Sequence, residues 1–252
     1  MTVMISLMQQ AIGGKVLLNI QTRSVEASVQ ASELLGRAVI VGVMAKDYPK
    51  LEDGVHYIET LHQHHVQVSA GLGDGSADQW EHALQLALQT HPLHLNQIFP
   101  AAALSHYALR SKGAQTMVNA MVRPTGQPGI VDIGTGPLSQ RIGRGHAAIE
   151  NVLAIMKEMG VQSIKFFPIE GNTKLDEVRA VAEAVAREGM MIEPTGGITP
   201  DNVAEIVQVC LDAGVSYIMP HLYGSLKNPE TGDLDIQKLT AAYHRVLALF
   251  EE

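Results

Sequence analysis

The sequence predicts an α/β fold built as one (β/α)8 barrel over residues 1–252. Three observations carry this expectation. Strand-length apolar runs alternate with helical segments eight times, at the roughly thirty-residue pitch of βα units. No Pro/Ser/Gly-rich linker or low-complexity tract divides them. Hydrophobic residues make up 46% of the chain but aromatics only 4%, so the core must be built from Ala, Val, Leu, Ile and Met. That composition suits helices packed on a parallel sheet better than a β-sandwich. A doubly wound open sheet is the runner-up, but no GxGxxG follows the first strand.

The elements follow in order. Lys15 to Ile20 reads as the first strand, and Ser24 as the N-cap of a helix from Val25 to Leu35 that ends at Gly36. Ala38 to Ala45 is a near-continuous apolar run, the mark of a strand buried on both faces. A helix over Lys50–His65 precedes a third strand, Val66 to Gly71, and the loop Gly73-Asp74-Gly75. Ser76 caps a helix through Leu88; Leu95 to Phe99 is the fourth strand and Ala101 to Ser111 the next helix. Gln115 to Val122 is the fifth strand. Arg123 to Gly145 is expected to be irregular, and loops of this length are usually functional or mobile. A helix over 146–159 leads to the sixth strand around Lys165. The helix Lys174–Glu188, ended by Gly189, leads to the seventh, Met190–Pro194. A helix from Pro200 to Ala213 precedes the eighth strand, Val215–Met219, and Asp235–Phe250 closes the chain.

Charge and cysteine content narrow the partners. Net charge is −8 with no basic run, which argues against nucleic acid. An anionic substrate would need local means: a helix N-terminus, a glycine nest or a few placed cations. The single cysteine, Cys210, allows no internal disulfide and no Cys-based metal site, as expected of a cytoplasmic protein. No signal peptide or membrane span is read. Histidines are abundant, but no metal site is expected. His221 is the one to watch, because it directly follows the eighth strand.

Chemistry concentrates in Ser163-Ile164-Lys165-Phe166-Phe167-Pro168. Desolvating an ammonium is costly, and a buried lysine responds with a depressed pKa. A lysine that is neutral near pH 7 attacks carbonyls and forms Schiff bases. The structural alternative is a strand-end lysine whose amine reaches water. Barrel chemistry sits at the C-terminal ends of the strands, with phosphate sites often after strands seven and eight. Gly196-Gly197 and Gly224-Ser225 occupy those two places.

Lys165-Phe166-Phe167-Pro168-Ile169-Glu170, then Pro194-Thr195-Gly196-Gly197-Ile198-Thr199-Pro200-Asp201-Asn202, then Gly224-Ser225 closely resemble the 2-keto-3-deoxy-6-phosphogluconate (KDPG) aldolases. The longer chain and divergent front half resemble the branch linked to D-glucosaminate breakdown. The resemblance implies a class I aldolase on a TIM barrel, cleaving KDPG to pyruvate and glyceraldehyde 3-phosphate without metal or organic cofactor. It further implies Lys165 as the Schiff-base lysine and Thr195 in the pyruvyl pocket. Gly196, Gly197, Gly224 and Ser225 match the phosphate cradle. A homo-oligomer is expected by analogy.

The front half departs from that family. The usual second-strand motif E-V-T-L-R, with a general acid/base glutamate and a carboxylate-binding arginine, aligns with Gly42-Val43-Met44-Ala45-Lys46. Another group must then move protons. Glu193 lies two residues before Thr195, hence on the same face of its strand, and is the leading candidate. A buried structural ion pair with Lys165 or Lys46 is its alternative reading; Glu170, Asp74 and a bound water are the other candidates for the base. For the substrate carboxylate, Lys46, Arg23 and Arg123 all sit just after strands. Two other functions compete: an aldolase for a non-phosphorylated acid such as 4-hydroxy-2-oxoglutarate, and a phosphosugar-binding barrel without catalysis.

Overall fold

The structure, a computed structural model, describes Met8 and residues 11–251. Its strands are β1 (Leu18–Gln21), β2 (Val39–Met44), β3 (Val68–Gly71), β4 (His94–Leu95), β5 (Met117–Pro124), β6 (Ile130–Asp132), β7 (His146–Ala148), β8 (Ser163–Phe166), β9 (Met191–Pro194), β10 (Tyr217–Ile218) and β11 (His221–Leu222). The helices are α1 (Val25–Leu35), α2 (Leu51–Gln63), α3 (Trp80–Thr90), α4 (Phe99–Ser111), α5 (Ser139–Ile142), α6 (Ile149–Glu158), α7 (Leu175–Glu188), α8 (Val203–Asp212) and α9 (Ile236–Leu247).

The strands run in the order β10-β9-β8-β5-β4-β3-β2-β1-β11, and every pair along that path is parallel. β10 and β11 are two halves of one strand, the first paired with β9 and the second with β1. The sheet therefore closes: Leu17 N–H donates to Ile218 O and Asn19 N–H to Pro220 O, each at 3.0 Å. The result is the expected eight-stranded barrel. Closure corrects the end of the eighth strand, expected at Met219. Pro220 has no N–H and reads as a terminator, yet its carbonyl accepts from β1 and the chain stays extended to Leu222. His221 thus belongs to the strand.

The second correction is the stretch 123–148, expected to be irregular as far as Gly145. β5 outruns the barrel, pairing Arg123 with Asp132 and Pro124 with Val131 antiparallel; β6 then pairs with β7. Residues 146–148 form a strand, so the following helix starts at Ile149. β6 and β7 are only three residues each, and only their pairing defines them. Thr135 fixes the extension, donating to Met121 O (3.1 Å) and accepting from Phe99 N–H (2.9 Å). Phe99, expected in the fourth strand, opens α4 instead.

Local chemistry sets the helix ends. Ser24 Oγ accepts from Ala27 N–H at 3.1 Å, capping α1 as expected. Asp235 accepts from Gln237 and Lys238 N–H (3.1 and 3.2 Å) to start α9. Gly189 ends α7 with a left-handed φ of 63°. α7 buries Val178, Val181, Ala182 and Val185 against the sheet and exposes Arg179, Glu183 and Arg187. Each buried valine contributes about 1.5–3 kcal/mol. Inside the barrel, its N-terminal end is filled by Leu17, Ile40, Met117, Met191 and Met219 with Met8 and Ala11. The opposite, C-terminal end is left to polar side chains. Among the described residues, no helix is long and apolar enough to cross a membrane.

Candidate active site

Alternation along the strands aims Asn19, Ser69, His94, Asn119, Ser163, Lys165, Glu193 and His221 into the barrel, while their neighbours Ile20, Val68, Leu95, Val118, Ile164 and Ile192 join the core between sheet and helices. Lys165 is only 8% exposed. Its Nζ donates to Asn96 Oδ1 at 2.9 Å and lies 3.3 Å from His221 Nδ1. Burial pushes the Lys165 pKa down to about 8, against an opposing pull from Glu193.

Glu193 is the hub beneath it. Oε1 accepts from His94 Nε2 (3.0 Å) and from the Ser163 hydroxyl; Oε2 accepts from Asn119 Nδ2 (2.7 Å) and His221 Nε2 (2.9 Å). Burial opposes its charge, but the two imidazoles and their hydrogen bonds hold the carboxyl well below its usual range. Every polar atom around it is accounted for. Asn19 Nδ2 (3.2 Å) and Asn96 Nδ2 (3.0 Å) donate to Ser69 Oγ, whose own proton then goes to His94 Nδ1 at 2.8 Å. Asn119 Nδ2 also reaches Asn96 Oδ1 (3.0 Å), and Tyr223 donates to Asn19 Oδ1 (3.1 Å). A buried network satisfied to this degree is stiff.

Above this floor lies a cavity of about 320 Å³ at the C-terminal ends of the strands. Lys165, Asn96, His221 and Met121 face it from below; Gly71–Gly75, Thr195–Thr199 and Tyr223–Ser225 form its walls. Gly196 and Gly197 have φ of +100° and +70°. A Cβ on Gly197 would stand 2.5 Å from Gly171 N, so this loop is built for glycine. Ser225 Oγ is buried with no hydrogen-bond partner among the described residues. A buried hydroxyl left without a partner costs about 1–3 kcal/mol.

The structure thus brings Lys165, Thr195, Gly196, Gly197, Gly224 and Ser225 onto one cavity. Glu193 sits one layer lower, fully buried, and does not line it. The alternative reading of Glu193 as the direct ion-pair partner of Lys165 or Lys46 gives way to pairing with His94 and His221. Lys46 stands at the rim, its stem packed on Gly73 and its amine paired with Asp74. Arg123 turns away to Gln140 Oε1 (2.8 Å). Arg23 is exposed at the start of α1, its N–H on Asp233 (2.7 Å). Neither arginine lines the cavity. At Gly42 a Cβ would meet Met44 Cε at 2.6 Å and the Tyr223 hydroxyl at 3.0 Å, so the space of the usual second-strand glutamate is filled.

Sequence reasoning passed over Asn19, Ser69, His94, Asn96 and Asn119. Part of the signal was present: Ser69 and Asn119 each stand as a polar residue in an apolar run. Nothing local says that these lone residues meet.

A family model described as KDGP aldolase matches residues 12–230. The chain is 37% identical over 221 residues to a 2-dehydro-3-deoxy-phosphogluconate aldolase of Salmonella typhimurium (strain 14028s / SGSC 2262), covering 87% of this chain and 90% of that one. Among solved structures it resembles a 3-hexulose-6-phosphate synthase (TM-score 0.56, 13% identity, 93% of this chain and 98% of that one). It also resembles the carboxyl transferase domain of Rhizobium etli pyruvate carboxylase with pyruvate (TM-score 0.56, 15% identity, 98% of this chain), of which it spans half, 50%. At such identities these structures speak for the barrel alone. The family match runs across the lysine strand and the glycine loops, and on it and the Salmonella relative the chain belongs to the KDGP aldolase family.

Proposed function

We propose that the protein is a class I aldolase that cleaves 2-dehydro-3-deoxy-6-phosphogluconate to pyruvate and glyceraldehyde 3-phosphate. The observation that carries this reading is Lys165: buried, with its pKa pushed down to about 8, at the floor of a cavity that the glycine loops wall. Its amine attacks the C2 carbonyl, water leaves, and the iminium draws electrons from the C3–C4 bond. Loss of the C4 hydroxyl proton breaks that bond. The enamine left on Lys165 is protonated at C3 and hydrolysed to pyruvate. Gly196, Gly197, Gly224 and Ser225 hold the phosphate, so remote binding energy orients the reacting carbons. Thr195 flanks the pyruvyl end, and Lys46, at the cavity rim beside Gly73 and Asp74, supports a role on the substrate carboxylate.

Borohydride reduction in the presence of pyruvate tests the reading; absence of a mass adduct on Lys165 would sink it, and the non-catalytic barrel would then stand. The trapping rate carries a pH signature. Only the free amine attacks, so the rate should climb about tenfold per pH unit below pH 8 and level off above it. A profile still rising at pH 10 would place the amine at an ordinary lysine value.

The unpaired Ser225 hydroxyl and the two glycine loops support a phosphorylated acceptor over 4-hydroxy-2-oxoglutarate. Inorganic phosphate should therefore compete with substrate. Gly197→Ala should raise KM about tenfold or more with kcat less affected, since it displaces the cradle rather than the nucleophile. Unchanged KM with no phosphate competition would favour the non-phosphorylated acid. The longer chain and the filled second-strand site support the branch linked to D-glucosaminate breakdown. Exposed Tyr107, Leu138 and Ile142 support the homo-oligomer, and the lone buried Cys210 fits a reducing cytoplasm.

A further inference from the structure

We propose that His221 is the residue that moves protons at the Lys165 nitrogen and at the substrate, and that Glu193 acts one layer removed, as the residue that positions it. The proposal rests on the Schiff-base reading of Lys165 and deepens it.

The geometry separates the two residues. Glu193 is 0% exposed, and both of its oxygens are occupied by four protein donors, so no substrate proton can reach it. His221 faces the cavity, with Nδ1 3.3 Å from Lys165 Nζ and Nε2 2.9 Å from Glu193 Oε2. An ionised carboxylate accepts only, so Nε2 carries the proton and Nδ1 is left with a lone pair aimed at the amine. Glu193 is itself held through Oε1 by His94 Nε2, whose Nδ1 is fixed by Ser69. The chain Ser69, His94, Glu193, His221 thus selects one tautomer and one ring orientation, as the orienting carboxylate does in a nucleophile–base–acid arrangement. Tyr223 packs its ring 5.3 Å from the imidazole and closes the remaining side.

The proton balance follows. The Lys165 ammonium gives one proton to His221 Nδ1, and the free amine attacks C2. The carbinolamine keeps one nitrogen proton after the second moves to its oxygen, and the imidazolium returns its proton so that the hydroxyl leaves as water. His221 is neutral again when the iminium has formed. It next takes the C4 hydroxyl proton as C3–C4 breaks, and delivers it to C3 of the enamine. Charges that face His221 agree with this cycle. Burial and the Lys165 charge hold its pKa near 3 while Glu193 pulls it up, so it rests neutral beside charged Lys165 and gains basicity once that charge is given away.

The test measures exchange of the pyruvate methyl protons with deuterated water alongside borohydride trapping. In His221→Gln, exchange should fall about 100-fold or more, while slow trapping still labels Lys165. In Glu193→Gln, exchange should fall less, and the pH profile of trapping should move to lower pH, because Glu193 is what raises the amine. Wild-type exchange in His221→Gln overturns the proposal. So does a larger loss in Glu193→Gln with an unmoved pH profile, which would make Glu193 the direct base. Should His221→Gln not fold, imidazole ¹⁵N resonances of the wild type decide: a proton on Nδ1 rather than Nε2 overturns it. Absence of a Lys165 adduct in the wild type is a different failure, that of the aldolase reading.

Discussion

Lys165→Met should abolish aldol cleavage, with a loss of about 10⁴-fold or more in kcat/KM, and should leave no borohydride-sensitive adduct. On the proposed reaction Lys165 is the only covalent attachment, and nothing else on the cavity floor would replace it: Asn96 and His221 are its nearest polar neighbours, and neither forms an iminium. Arginine would not rescue it, because guanidinium stays protonated. The variant should nonetheless fold well. Methionine matches the stem, and removing a buried amine removes a desolvation cost. Asn96 Oδ1 keeps Asn119 as donor, so only His221 Nδ1 loses a partner. The expected pair of results is therefore activity lost and melting temperature kept within about 3 °C of wild type. Residual cleavage within about tenfold of wild type would remove Lys165 from the mechanism.

Glu193→Leu should be the most damaging change to stability. The carboxylate accepts from His94, Ser163, Asn119 and His221. Leucine fills similar space but takes the acceptor from His94, Ser163 and His221, and one of the two from Asn119, which keeps Asn96 Oδ1. Removing one partner of a buried charged network costs about 3–5 kcal/mol. For a chain of this size that is a fall of about 10 °C in melting temperature. Glu193→Gln keeps one acceptor oxygen and should lose less. The pH dependence has a defined sign. The native carboxyl is held well below its ordinary value near 4.5, so the unfolded chain binds the proton first as pH falls. Its contribution is complete above about pH 4.5 and is lost progressively on acidification below it. Urea midpoints measured across that window should slope for the wild type and flatten for Glu193→Gln. Equal slopes would mean that the acid sensitivity arises elsewhere.

Much of the molecule follows from local signals. Apolar runs such as Val39–Met44 have the length and composition of strands buried on both faces, and the Ser24 and Gly189 helix ends are local chemistry. Alternating eight times, these elements have the barrel as their economical closure. Lys165 was legible because an ammonium in an apolar strand needs a reason, and Gly196-Gly197 because two glycines before a helix have few structural uses. Alternation also placed Glu193 inside the barrel.

Partnership could not be read in the same way. Asn19, Ser69, His94, Asn119, Glu193 and His221 come from six different strands, and each is an isolated polar residue in its own segment. Barrel closure brings their side chains within 2.7–3.2 Å of one another. The extension at 123–148 was hidden for the same reason, since its short strands exist only by pairing. Pro220 hid the rest: a missing N–H looks like an end of strand until a neighbour's N–H finds its carbonyl. The sequence by itself determined the alternating elements, the barrel and the lysine buried in its strand, because those depend on spacing and burial along the chain. Only the tertiary structure decided that Glu193 lies beneath the cavity and that His221 stands between it and Lys165, because distances between strands are fixed by closure.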